Sequence, residues 1–557
     1  MDTMVKMCYT DKRNFKISKI SVIPKELSTM LSGINPVLRG FHPDPSILRV
    51  GDDFYLATST FQWFGGVQLY HSKDLVSWEE LPSPLSRVSQ LDMRGAPNSG
   101  GVWAPCLSYS DGVFYLIYTN VKNFHGIFKD TPNFMVTTTD VFTEWSEPIY
   151  LNSSGFDPSL FHDDDGKKYL VNMRWDSRME NHAFEGFVIQ EYSVSEKRLI
   201  GKPVNIYKGT EIGATEAPHI YKKNGYYYMM IAEGGTMYWH GVRLARSKSL
   251  FGPYESDPMP LLTTRHNPEH ALQRTGHASL IELKNGQSFV AYLCGRPVSD
   301  KKRCILGRET AIAEVVWTED GWLRLKDGGT LPPVGYEVDL PAHPFPEDAE
   351  TEIFGVSALP PHFKTLRLPL EMMGSLSDRP GCLRLYGQEA ITSLNRQSLV
   401  ARRLDAFSCE ATVKMEFAPE DFQQMAGLTV FYDTFNFFYL FLSSTGEGEN
   451  EIRILVRDNL RFYDPINGGV PVGKTEKVWL RAWIQDLTIQ FSYSLDGKAF
   501  IPVASPLDAS DLSDEAYFDI GHEGHTGTFI GMACQDLSGR KLHADFSGFT
   551  YRRLENL

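Results

Sequence analysis

The stretch Asp44-Pro45-Ser46-Ile47, followed across a Gly51-Asp52 turn by Asp53-Phe54-Tyr55-Leu56, decides how the N-terminal half of the chain is read, because the same figure returns four more times. Its copies begin Ala104-Pro105-Cys106-Leu107, Asp157-Pro158-Ser159-Leu160, Ala217-Pro218-His219-Ile220 and His277-Ala278-Ser279-Leu280. Each copy then meets an aromatic run around Tyr115, Tyr169, Tyr228 or Phe289, 11 or 12 residues after the first position. A short strand, a tight Gly/Asp/Asn turn and a second strand make a hairpin, and hairpins 53 or 60 residues apart suit four-stranded propeller blades. Five copies predict five blades. A TIM barrel or a doubly wound sheet would need an amphipathic helix between successive strands, and no 3.6-residue period is sustained there.

Outward from the repeat, the composition changes beyond Trp322. Pro332-Pro333, Pro341, Pro344, Pro346 and Pro360-Pro361 mark residues 325–362 as a linker that wraps the first domain. From Phe363 onward, alternating runs such as Leu428-Thr429-Val430-Phe431-Tyr432 and Phe437-Phe438-Tyr439-Leu440-Phe441 predict an antiparallel, jelly-roll-like β-sandwich. The expected architecture is therefore all-β: a five-bladed β-propeller over 1–324, the linker, and a sandwich over 363–557.

Size and charge agree with two domains and a neutral ligand. At 557 residues and 63.0 kDa the chain exceeds one ordinary core. Seven scattered cysteines without a CxxC pair indicate neither a disulfide framework nor a zinc cage, and read as buried thiols. The segment before Pro36 lacks the apolar run of a signal peptide, and no membrane-length apolar stretch occurs, so a cytoplasmic protein without a membrane partner is expected. A net charge of −14 and a pI near 5.6 exclude a nucleic-acid partner. A homo-oligomer is compatible with this composition.

In a propeller the innermost strands line a central axis, so one repeat position converges on one mouth from every blade. That position holds Asp44, Ala104, Asp157, Ala217 and His277, with Glu216 one residue before the fourth. Gathering acids is costly, because burial and like charge raise each carboxyl's pKa. Glycoside hydrolysis needs such a set: a protonated acid for the leaving oxygen, an ionised partner for water, and a third carboxylate to tune the acid. A single Asp-Pro is ordinarily a turn, but its return at one repeat position, with Glu216 beside another, favours chemistry. Other signals are weaker. Pro268 denies His266 and His270 a zinc-binding helix. Asp163-Asp164-Asp165-Gly166 lacks the closing Glu of a calcium loop and reads as a hairpin turn.

At this point the chain resembles glycoside hydrolase family 43, and within it the β-xylosidases with an added C-terminal β-sandwich. The resemblance runs through Gly40-Phe41-His42-Pro43-Asp44-Pro45-Ser46, Ser59-Thr60-Phe61-Gln62-Trp63-Phe64, Val102-Trp103-Ala104-Pro105, Gly155-Phe156-Asp157-Pro158, Thr215-Glu216-Ala217-Pro218, Gly276-His277-Ala278-Ser279, Cys294-Gly295-Arg296-Pro297 and Gly531-Met532-Ala533-Cys534-Gln535-Asp536. It implies an inverting, exo-acting β-1,4-xylosidase acting on xylooligosaccharides, or an α-L-arabinofuranosidase, with Asp44 as general base, Asp157 as the pKa-setting acid and Glu216 as general acid. It also implies that Phe61, Trp103 and Trp175 wall the sugar and that Arg296 bonds its hydroxyls. His277 would stand near the channel axis, where some relatives hold calcium through waters, although the chemistry itself needs no cofactor. His525 stands where relatives often present an aromatic residue on a sandwich loop closing the site. A non-catalytic sugar-binding propeller would have lost one of the three acids, and a protein-binding propeller would repeat one polar motif in every blade.

Overall fold

A computed structural model describes residues 30–355 and 357–554. Cys8 and most of the N-terminal segment read above for a leader lie outside the described residues. Each repeated figure forms the first hairpin of an antiparallel sheet. In the first blade Ser46–Val50, Asp53–Ser59, Val67–Ser72 and Glu79–Leu81 pair in sequence. The other blades open with Gly101–Ser110, Ser159–His162, Glu216–Lys223 and Gln273–Glu282, and the fourth adds a fifth short strand, Leu262–Thr263. Second strands such as Val113–Val121 and Ser288–Gly295 are buried almost throughout, because blades stack face to face and leave these strands no solvent side.

An apolar cluster fills each of five seams among the described residues. The seam that closes the ring packs Ile47 and Leu56 of the first blade against Phe289 and Ile312 of the fifth. The motif serines tie the seams. Ser46 Oγ accepts the Leu107 N–H at 3.0 Å, and Ser279 Oγ accepts the Ile47 N–H while donating to the Pro45 carbonyl, both at 2.9 Å. The Asp163 to Gly166 segment is a hairpin turn, with the Asp163 carboxylate taken by Lys222 at 2.7 Å and Tyr227 at 3.0 Å.

The proline-rich stretch carries strands of its own. Gly335–Asp339 pairs with Met30–Ile34 and sends Tyr336 and Val338 into the closing seam. Thr351–Glu352 already joins the C-terminal sandwich, beside Phe549 and Thr550, ahead of the boundary expected at Phe363. The two sandwich sheets differ in pattern. Ser408–Glu416 and Lys477–Gln485 alternate buried with half-exposed residues, the mark of a sheet with one wet face. Ser398–Arg403, Phe437–Ser444 and Phe529–Asp536 are buried throughout, since their second face lies on the propeller. There Phe41, Phe61 and Trp63 join Phe437 and Phe529 in one apolar cluster, and Trp63 stacks on Phe529 with ring centroids 4.0 Å apart.

Candidate active site

All five residues at the repeat position, Asp44, Ala104, Asp157, Ala217 and His277, have a left-handed backbone with φ between 40° and 57°. A side chain disfavours this region. Strand pairing slips beside it in three blades, between Trp103 and Cys106, Glu216 and His219, and Gly276 and Ser279. In four blades the next residue is proline, which has no N–H to leave unpaired. Asp44, Asp157, Glu216 and His277, from four different blades, line one cavity of about 480 Å³. Phe61, Trp103, Trp175 and His525 line it as well.

The carboxyls of this cavity are set apart by their surroundings. Burial pushes Asp44 up, but it is outweighed by the Arg308 guanidinium, by His277 and by the Ser59 hydroxyl, which together hold the carboxyl below its ordinary value. Ser59 Oγ donates to Asp44 Oδ2 at 2.6 Å and Arg308 donates to Oδ1 at 3.0 Å, while His277 Nδ1 lies 3.6 Å from that oxygen. Burial, and then the Asp44 charge, push Glu216 up to about 7 against the pull of Arg308. Asp157 is buried and raised well above its ordinary value by burial and by Glu216, although its Oδ2 accepts the Ala217 N–H at 3.0 Å. One carboxylate is therefore held ionised, and two others share a neighbourhood that disfavours two charges. Burial also lowers the His277 pKa, against the pull of the Asp44 charge.

The aromatic residues build the wall. Trp103 Nε1 donates to the Ser99 carbonyl at 2.8 Å, and its ring lies 5.7 Å from Phe61, 5.2 Å from Phe124 and 5.3 Å from Phe156. Trp175 is covered by the Lys129 ammonium, 4.3 Å from its ring. His525 arrives from the sandwich: its N–H donates to Ser99 Oγ at 3.0 Å and its ring lies 5.8 Å from Trp103.

Arg296 is the exception among the expected residues. It does not line the cavity, because its guanidinium makes a bidentate pair with the fully buried Glu309, at 2.6 and 2.8 Å, and lies over Phe407. The arginine of the site is Arg308, which reaches Asp44, Thr236 Oγ1 at 3.2 Å and the His525 carbonyl at 3.0 Å. Its signal was Gly307 just before it. That glycine has φ 77°, and a Cβ there would stand 2.9 Å from Gly527 Cα, so this backbone passes against the sandwich. Phe518 and Glu523 were also missed. Phe518 lies on α1 (Asp514–Asp519), a short helix in an otherwise β domain, announced by Ser513 as its N-cap before Asp514 and Glu515.

The side chains around His277 do not form a set of direct calcium ligands among the described residues. Calcium takes several oxygen ligands, whereas the one carboxylate against His277 already serves Arg308 and Ser59, and no cluster of three metal-ligating side chains occurs among the described residues.

Residues 34–323 match the family Glycosyl hydrolases family 43, and residues 351–552 match the Beta xylosidase C-terminal Concanavalin A-like domain. The chain is 46% identical to Xylosidase/arabinosidase 43B of Humicola insolens, over 94% of this chain and 98% of that one. It is 47% identical to Beta-xylosidase of Bacillus subtilis, over 93% and 99%. Among solved structures it is similar to xylan beta-1,4-xylosidase from Bacillus halodurans, with 52% identity, a TM-score of 0.91, and 94% and 100% of the two chains covered. A five-bladed propeller with converging carboxyls, a sandwich packed on its mouth, and likeness over nearly the whole length lead to one conclusion: the chain belongs to family 43 of the glycosyl hydrolases and is a glycoside hydrolase.

Proposed function

We propose that the enzyme is an exo-acting β-1,4-xylosidase that removes xylose, with inversion, from the non-reducing end of short xylan-derived chains. The observation that carries the proposal is the division of carboxyls in one cavity, with Asp44 held ionised and Glu216 raised to about 7. In this reading the water oxygen attacks the anomeric carbon as Asp44 takes the water's proton, the bond to the leaving oxygen breaks, and Glu216 protonates that oxygen. Asp157 tunes and orients Glu216. Phe61, Trp103 and Trp175 offer apolar faces to the sugar, and Arg308 sets the charge of Asp44. A cavity of about 480 Å³, walled on one side by Phe518, Glu523 and His525 of the sandwich, suits a chain end rather than a long polymer.

The substrate class is supported by the names of the relatives, and the arabinosidase part of the Humicola insolens name supports a second, α-L-arabinofuranosidase activity in the same pocket. Proton NMR at early times on an aryl β-xyloside, whose leaving group is not itself xylose, tests the main reading. α-Xylose as the first anomer is expected, and initial β-xylose would remove Asp44 as base. The ratio of rates on aryl xyloside and aryl arabinofuranoside measures the second activity.

A further inference from the structure

Two arginines are completely buried, have a left-handed backbone, and cross the domain interface in opposite directions. Arg367 leaves the sandwich and donates to the Ala96 carbonyl at 3.0 Å and Asn98 Oδ1 at 3.2 Å in the propeller. Arg274 leaves the innermost strand of the fifth blade and donates to Glu515 Oε1 at 2.9 Å and Asp514 Oδ2 at 2.6 Å, on α1 of the sandwich. The other carboxylate oxygens are also used: Glu515 Oε2 accepts the Cys304 N–H at 3.0 Å, and Asp514 Oδ1 accepts the Tyr432 hydroxyl at 2.5 Å.

Replacing a buried charge cluster with apolar side chains is often neutral or stabilising, so stability alone does not explain this one. What it supplies is a fixed position for α1, a helix of six residues. Phe518 lies on that helix, and Glu523 and His525 follow it into the cavity wall. Arg274 also acts from the other side, since its Nε donates to the Thr236 carbonyl at 3.0 Å and Thr236 lines the same cavity and accepts from Arg308. The deep end of the cavity is marked by Asp44 and Asp157, 4% and 7% exposed, and the open end by Glu523, whose side chain is 55% exposed. The segment that Arg274 anchors is therefore part of the rim past which a leaving group departs, together with the exposed Ala214 of the propeller.

We propose that Arg274 is a positioning residue for the leaving-group side of the site: through Asp514 and Glu515 it sets Phe518, Glu523 and His525 against the propeller, and so governs acceptance of a second sugar. The inference rests on the glycosidase reading of the cavity. Arg274→Met alone strands two buried carboxylates. The test is therefore the charge-free triple variant Arg274→Met, Asp514→Asn, Glu515→Gln, with Glu515→Gln alone as the mild case. Steady-state kinetics are compared on xylobiose and on β-xylosyl fluoride, whose leaving group leaves the acceptor side empty. For the triple variant we expect kcat/KM on xylobiose to fall about tenfold, mainly through KM, with the fluoride rate kept within about twofold. Equal losses on both substrates, or an unchanged ratio, would overturn the proposal. Should the triple variant fail to fold, Glu515→Gln decides in the same way, a lowered xylobiose-to-fluoride ratio supporting the proposal and an unchanged one overturning it. A wild-type enzyme inert to both xylosides but active on another glycoside would remove the xylosidase reading, and Arg274 would then be tested with that glycoside and its fluoride.

Discussion

The repeat position is built alike in the first and second blades, Asp44 with φ 57° and Ala104 with φ 40°, each before a proline, yet one carries an acid and the other a methyl group. The alanine position is not idle. The Ala104 N–H donates to Ser59 Oγ at 2.7 Å, and the same hydroxyl donates to Asp44 at 2.6 Å. The fourth blade serves the third in the same way, the Ala217 N–H donating to Asp157. A strained backbone at this position is thus a property of the blade, while the chemistry belongs to the side chain it displays. Left-handed φ by itself marks no catalytic residue here.

Substitutions can break or sharpen that contrast. The largest expected effect is at Glu216→Gln, where removing the proposed general acid should cost about 10²–10⁴ in kcat/KM on xylobiose but far less on aryl xylosides with good leaving groups. Equal losses along a leaving-group series would contradict the role. Next comes the pair of arginines near the site. Arg296→Met strands the fully buried Glu309, so thermal or denaturant unfolding should show a loss on the order of 3–5 kcal/mol, with activity per folded molecule retained. Arg308→Met should instead move the pH profile. Arg308 holds the Asp44 carboxyl down, so without it Asp44 ionises at higher pH and the acid limb of kcat/KM moves up.

Asp157→Asn acts on the other limb. The proposed general acid must be protonated, and its carboxyl now titrates at about 7. Glu216 and Asp157 titrate as a coupled pair in which the Glu216 charge raises Asp157, so removing one partner should shift or flatten the basic limb. A limb that stays put would leave Asp157 a turn residue. The smallest effect is expected at Ala104→Gly. Glycine adopts left-handed φ without strain, so stability should stay within about 1 kcal/mol of wild type, leaning towards stabilisation, with activity unchanged because the N–H to Ser59 remains. A large activity loss there would show that the methyl group itself shapes the cavity.

Much of this was legible because propeller blades are local. A hairpin closes within a dozen or so residues, so its strand, turn and aromatic signals return at regular spacing, and the acids at one repeat position could be gathered before any coordinates. Arg308 was not legible in that way. Arg296 and Arg308 stand at the two ends of the connection between the second and third strands of the fifth blade, and the path of the chain between them decides which one faces Asp44 and which one Glu309. The wall from the sandwich was harder still, since His525 meets Arg308 across 217 positions.

The sequence by itself determined the kinds of strand, the number of blades and which three acids meet in one cavity, because these follow from periodicity and from residues at or beside equivalent positions. Only the tertiary structure decided which acid is held ionised, which arginine does the holding, and how the sandwich closes the cavity. Those depend on through-space distances of a few ångströms between groups far apart in the chain, and on burial, which sets how strongly each charge is felt.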